Sequence, residues 1–84
     1  MIDASTLDRL TLLLREVFDD DDLVATPELS ARNVAGWDSL SNVRLFVEIE
    51  RAFSMRFSAT EIASLKNIGE LASLIEKKVH RSNR

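Results

Sequence analysis

The chain has 84 residues, 45% of them hydrophobic, which allows one modest core but not two lobes or a cofactor-filled barrel. Its net charge of −3, with Lys and Arg scattered apart from a short basic end, argues against a nucleic-acid backbone as the main partner, and its lack of Cys excludes disulfides, thiolate metal sites and a thiol nucleophile. No apolar run approaches a membrane span and residues 1–25 lack a basic start followed by an apolar stretch, so a cytoplasmic protein without a membrane partner is expected.

Strand signals are nearly absent, and Gly and Pro number only 2 and 1. Leu7, Leu10, Leu14, Val17 and Phe18 recur at helical spacing and predict a first helix over 5–18, with Ser5 and Asp8 read as its N-terminal cap. Asp19 to Asp22 then oppose the helix dipole and repel one another, which predicts the helix stop. The run lacks the alternation and glycine of a calcium loop, so a solvated turn is expected and no metal. A long connection containing Pro27 and Gly36 follows, with Leu23, Val24, Leu29 and Val34 expected to pin it to the core.

The second helix is predicted over 38–54. At about 100° per residue it carries two apolar faces. Leu45, Phe46, Ile49 and Phe53 lie on one side and Leu40, Val43 and Val47 on the other. A small domain needs only the first for its core. The second begins one residue after Ser39 and reads as a docking surface built around it. Ser58-Ala59-Thr60-Glu61 is a capping box for a short helix over 59–65, anchored by Ile62 and Leu65 beside Phe57. Asn67-Ile68-Gly69-Glu70 repeats the cap logic for a last helix over 68–79, with Leu71, Leu74, Ile75 and Val79 inward. Residues from His80 on read as a polar, frayed end without a role. The expected fold is a single all-α domain over 1–84: a small four-helix bundle of three longer helices and one short one, with a long loop between helices 1 and 2.

If Asp38 caps the second helix, the Ser39 hydroxyl points outward at the first helical position. A phosphate there would sit near first-turn amides and the positive end of the dipole. The position suits a serine bearing a phosphodiester. It suits a catalytic serine poorly, because no Gly-x-Ser-x-Gly elbow surrounds it and the chain's one His is His80. By caps alone Asp38-Ser39 is an ordinary helix start.

Gly36-Trp37-Asp38-Ser39-Leu40, continuing through Val43, Leu45, Glu48, Ile49 and Glu50 to Phe53, resembles the acyl carrier proteins, and Phe57, Glu61, Ile62 and Leu65 fall where that family places its short third helix. The resemblance covers nearly the whole chain. It implies that Ser39 receives 4′-phosphopantetheine from a phosphopantetheinyl transferase, the arm supplying the thiol that this Cys-free chain lacks. It also implies that the protein is not an enzyme but a monomeric tether for thioesters. Partner enzymes of such carriers are acyl-CoA or acyl-AMP ligases, acyltransferases and ketosynthases. They read helix two, here Asp38, Leu40, Val43, Arg44, Val47, Glu48 and Arg51, with Glu50 as a further acidic edge residue. Leu45, Ile49, Ile62, Leu71, Leu74 and Ile75 are candidate lining residues for a sheltered acyl chain, and plain packing explains them equally well.

Arg44 and Arg51 on the stripe side, and Trp37 before Asp-Ser, depart from fatty-acid carriers with a strongly acidic helix two. The chain is more reminiscent of stand-alone carriers of polyketide or other specialised pathways. Alternatives are an aminoacyl or D-alanyl carrier, or a non-covalent helical interaction module whose stripe binds a partner helix. Trp37 is expected to pack as a lid over the loop in preference to shaping the approach to Ser39.

Overall fold

Helix α1 (Ala4–Phe18) packs against helix α2 (Ser39–Phe53) and against helix α4 (Ile68–Ser82), all three share one core, and the short α3 (Ala59–Ser64) is tied to α4 by an ion pair. The computed structural model describes residues 3–82, and side chains as far as Val79. Among the described residues there are four α-helices, a 3₁₀ turn at Ala31–Asn33 and no strand, so the fold is all-α. The expectations for the His80 side chain and the basic end lie outside the described side chains, while the helical backbone continues to Ser82.

The start of α1 differs from the sequence expectation. Asp3, not Ser5, is the cap: its carboxylate accepts the Ser5 N–H at 3.3 Å. The Asp3 N–H donates to Glu76 Oε2 at 2.6 Å, a tertiary tie to α4 that fixes Asp3 in extended geometry. The helix stop is also a matter of backbone shape. Asp19 adopts the left-handed conformation (φ 50°) and its N–H bonds the Arg15 carbonyl, as does that of Asp20. Asp is among the few non-glycine residues that tolerate this conformation.

The α1–α2 loop is fastened along its length. The Arg15 Nε–H donates to the Leu23 carbonyl at 2.7 Å, and Thr11 Oγ1 accepts from the Ala25 N–H at 2.8 Å. Ala25 and Val34 are buried and Leu23 and Leu29 half-buried, but Val24 is exposed, against expectation. In an extended segment successive side chains alternate, so burying Leu23 and Ala25 turns Val24 outward. Farther on, the Ile68 and Gly69 N–H groups at the start of α4 donate to the Leu29 and Pro27 carbonyls at 2.8 and 2.9 Å. A Cβ at Gly69 would lie 3.0 Å from the Pro27 oxygen, so a glycine permits this close approach.

Leu10, Leu14, Leu45, Ile49, Ile68 and Ile75 are fully buried at the centre, each contributing roughly 1.5–3 kcal/mol by leaving water. Around them Phe46 meets Phe57 edge-on, centroids 5.0 Å apart. Arg9 lies 4.1 Å over the Phe53 ring and its guanidinium also donates to the Ala52 carbonyl, joining α1 to the end of α2. The capping box of α3 forms, with Ser58 Oγ accepting the Glu61 N–H at 3.1 Å and Glu61 Oε1 accepting the Ser58 N–H at 2.8 Å. The same Glu61 oxygen pairs with Lys78 Nζ at 2.9 Å, tying α3 to α4. At α4, Asn67 Oδ1 accepts the Glu70 N–H at 2.9 Å.

Candidate functional site

The start of α2 is built from the Val34–Asn42 segment. Gly36 sits at φ +83°, which L side chains rarely adopt, and its carbonyl accepts both the Asp38 N–H (3.0 Å) and Ser41 Oγ–H (2.8 Å). Asp38 is extended, and its carboxylate accepts the Ser41 N–H at 2.9 Å while its carbonyl takes that of Asn42. The Ser41 amide holds the Asp38 carboxyl below its ordinary value of 3.8. Trp37 is half-buried: its ring stacks at a tilt on Phe18, centroids 5.3 Å apart, and its Nε1–H donates to Asn42 Oδ1 at 3.0 Å.

These contacts leave Ser39 exposed at the first helical residue, beside the first-turn amides of Ser39 and Leu40. Arg15 and Arg9 have their guanidinium groups on the Leu23 and Ala52 backbone carbonyls. The two faces of α2 separate as the periodicity requires. Leu45 and Ile49 are 0% exposed, whereas Leu40, Val43 and Val47 are 80%, 62% and 45% exposed. Arg44 and Arg51 are exposed beside that stripe, and Glu48 is half-buried at its edge. Glu50, expected as a further acidic edge residue, is half-buried, and its Oε2 accepts the Phe57 N–H at 2.8 Å and holds the α2–α3 connection.

A cleft of about 90 Å³ opens beside this site, between α2, α3 and the start of α4. Of the six lining candidates only Ile62 and Leu71 face it. Leu45, Ile49 and Ile75 are consumed by the central core, and Leu74 is half-buried elsewhere on α4. Trp37, Asn42, Phe46, Leu65 and Ile68 also line it, with Ser30, Ala31, Lys66 and Asn67 at its polar side, and sequence reasoning assigned none of them to it. Trp37 therefore packs as a lid and also forms part of the cleft wall. Phe46 and Leu65 were recognisable as apolar, but only the three-dimensional placement of α2, α3 and α4 decides that they face a gap.

Residues 8–75 match the family described as Phosphopantetheine attachment site (PP-binding). A solved structure of a holo acyl carrier protein from Geobacter metallireducens superposes with a TM-score of 0.88 at 46% identity, covering 93% of this chain and 90% of that chain. The chain belongs to the acyl carrier protein family. This carrier bears 4′-phosphopantetheine covalently and carries acyl groups on that arm, and as a carrier it works with phosphopantetheinyl transferases and biosynthetic enzymes. The α2 start of the carrier fits such a group: an exposed hydroxyl beside first-turn amides accommodates a phosphodiester without displacing any buried side chain. Among the described residues no helix is long and apolar enough to cross a membrane.

Proposed function

We propose that Ser39 is the attachment residue and that the exposed face of α2 is the surface partner enzymes read. The observation carrying this is the position of the Ser39 hydroxyl, exposed at the first residue of a helix whose cap is supplied by its neighbour Asp38. Because Asp38 does the capping, Ser39 is spared for modification. The prosthetic arm supplies the thiol on which an acyl group is held as a thioester.

The remaining work is done by the chain's own residues. Gly36 and Asp38 set the turn and the cap, so the hydroxyl is presented at a fixed place on a rigid helix. Trp37 braces that turn against Phe18 and Asn42. Leu40, Val43 and Val47 offer apolar contact, rimmed by Asp38, Arg44, Glu48 and Arg51 for electrostatic selection. A carrier role without a catalytic group of its own is supported by the family and by the place of the chain's single His in α4. The reacting chemistry belongs to diffusible partners such as ligases, acyltransferases and ketosynthases, which favours a cytoplasmic carrier acting as a monomer. The two exposed arginines on the reading face favour a polyketide or other specialised acyl pathway over general fatty-acid synthesis.

The test is intact-mass analysis after incubation with coenzyme A, magnesium and a phosphopantetheinyl transferase. One phosphopantetheine is expected on the wild type and none on Ser39→Ala, with helical circular dichroism unchanged. Modification of the alanine variant, or none of the wild type with several transferases, refutes the assignment.

A further inference from the structure

The charged side chains around the exposed stripe of α2 differ in how far the fold has already committed them. Asp38 is engaged as the helix cap through the Ser41 amide. Glu50 is turned to the Phe57 N–H. Elsewhere, Arg9 and Arg15 have their guanidinium groups on the Ala52 and Leu23 carbonyls. Arg44 and Arg51 stand apart: both are exposed, and neither has an ion pair or hydrogen bond to a side chain among the described residues. At about 100° per residue both lie within roughly 40° of Leu40 on the helix wheel, along one border of the Leu40–Val43–Val47 stripe. Seven residues apart, they stand roughly 10 Å from each other along the helix axis, about one Debye length in ordinary buffer. Glu48, the remaining acid of the face, is half-buried at its edge.

Glu48, four residues after Arg44 and three before Arg51, likewise has no bond to a side chain among the described residues, so the uncommitted charges of this face are two exposed arginines against one half-buried acid, a positive excess of one beside exposed apolar surface. We propose that the partner enzyme meets α2 with an apolar groove bordered by Asp or Glu carboxylates, placed to receive Arg44 and Arg51. A guanidinium engages a carboxylate through two parallel hydrogen bonds, so two such contacts fix the helix register as well as attract the partner. An enzyme with a basic patch at the same place meets like charge, which lowers encounter rate and affinity together. This inference rests on Ser39 being the tethering residue.

The experiment uses the intact carrier, modified and acyl-loaded, with a ketosynthase whose carrier-docking patch is basic and with a variant of that enzyme in which the patch Lys and Arg are changed to Glu. The carriers are the wild type, Arg44→Glu/Arg51→Glu and Arg44→Gln/Arg51→Gln, each checked for unchanged circular dichroism and for one phosphopantetheine by mass. With the Glu-patch enzyme, the wild type is expected to exceed the double Glu variant roughly tenfold in kcat/KM at low salt. With the basic-patch enzyme the order reverses, the Gln variant falls between in both series, and the differences shrink as salt rises. Equal rates for all three carriers, or a wild-type preference for the basic patch, overturn the inference while leaving the Ser39 assignment intact. Failure of the wild type to take up phosphopantetheine overturns that assignment itself and the inference with it.

Discussion

Trp37 and Asn42 are joined across the first turn of α2, the indole N–H donating to the Asn42 side-chain oxygen at 3.0 Å. The bond spans Asp38 and Ser39, and the same indole ring rests on Phe18 at the end of α1. One side chain thus couples the position of α1 to the place where the serine hydroxyl is presented. Asn42→Ala leaves the half-buried indole N–H without its acceptor and is expected to cost about 1 kcal/mol. Denaturant unfolding followed by the fluorescence of this only tryptophan measures both the loss and the accompanying change in its emission.

The two faces of α2 are expected to respond oppositely to charge. Val43→Asp or Val47→Asp should change stability by no more than about 0.5 kcal/mol, as at ordinary surface positions. Ile49→Asp, at a site with no exposure, should cost several kcal/mol or prevent folding by burying a carboxylate without a partner. Thermal or urea unfolding of the three variants compares them directly. Comparable loss in Val47→Asp and Ile49→Asp would show that the stripe is core.

Gly36 provides a test of backbone conformation free of packing. No atom lies within 4 Å of a Cβ placed there, yet its φ is +83°. Gly36→Ala is therefore expected to destabilise by about 1 kcal/mol through the conformational penalty alone. Gly36→Asn should cost less than Gly36→Val, because Asn visits left-handed geometry far more readily than a β-branched residue. Equilibrium unfolding of the series ranks them, and a cost that tracked side-chain volume would contradict the conformational account.

Acid should weaken the fold partly through Asp38 and Glu61. Asp38 titrates below its ordinary 3.8 because of the Ser41 amide, and Glu61 below its ordinary 4.5 because of the hydrogen bond with Lys78 and then the Ser58 amide. A depressed folded-state value favours the charged form in the native state. The stability each group adds is thus present above its ordinary value and is lost as pH falls through the depressed one. Melting temperatures across that acid range should fall more steeply for the wild type than for Asp38→Asn or Glu61→Gln, both of which start from a lower value near neutral pH. Parallel curves would remove these two carboxylates from the acid response.

Much of this architecture is legible in the residues, and the exceptions share a cause. The two-faced α2 and the Ser58–Glu61 box depend on spacing within one helix, which the sequence displays directly. Asp3 was less visible than Ser5 as the α1 cap because both are good capping residues, and the tie that favours Asp3 comes from Glu76 on a distant helix. Glu50 occupies a helix position near the exposed side, yet its carboxylate reaches back to Phe57 across the chain reversal after Ser54. Burial of Leu45, Ile49 and Ile75 was readable, whereas the identity of the side chains facing the cleft was not. That distinction requires the relative placement of α2, α3 and α4, and no periodicity within a single helix encodes it.

The clasp between Pro27 and Leu29 of the loop and Gly69 and Ile68 of α4 bears on where this chain can grow. Residues 19–38 form two short spans meeting at a fixed point, so the loop closes in two independent steps, and lengthening one span need not disturb the other. The entropic penalty of a longer span is mild, about 0.6 kcal/mol per doubling. The turn at Asp20–Asp22 is exposed and bonds mainly to itself. Extra residues inserted there would hang outside the bundle, at the far end of the first span from the clasp. The same residues inserted between Pro27 and Leu29 would separate two carbonyls that must reach consecutive amides of one helix. The clasp thus divides the connection into a stretch open to elaboration, as for a fused tag or reporter, and a stretch whose length α4 itself dictates.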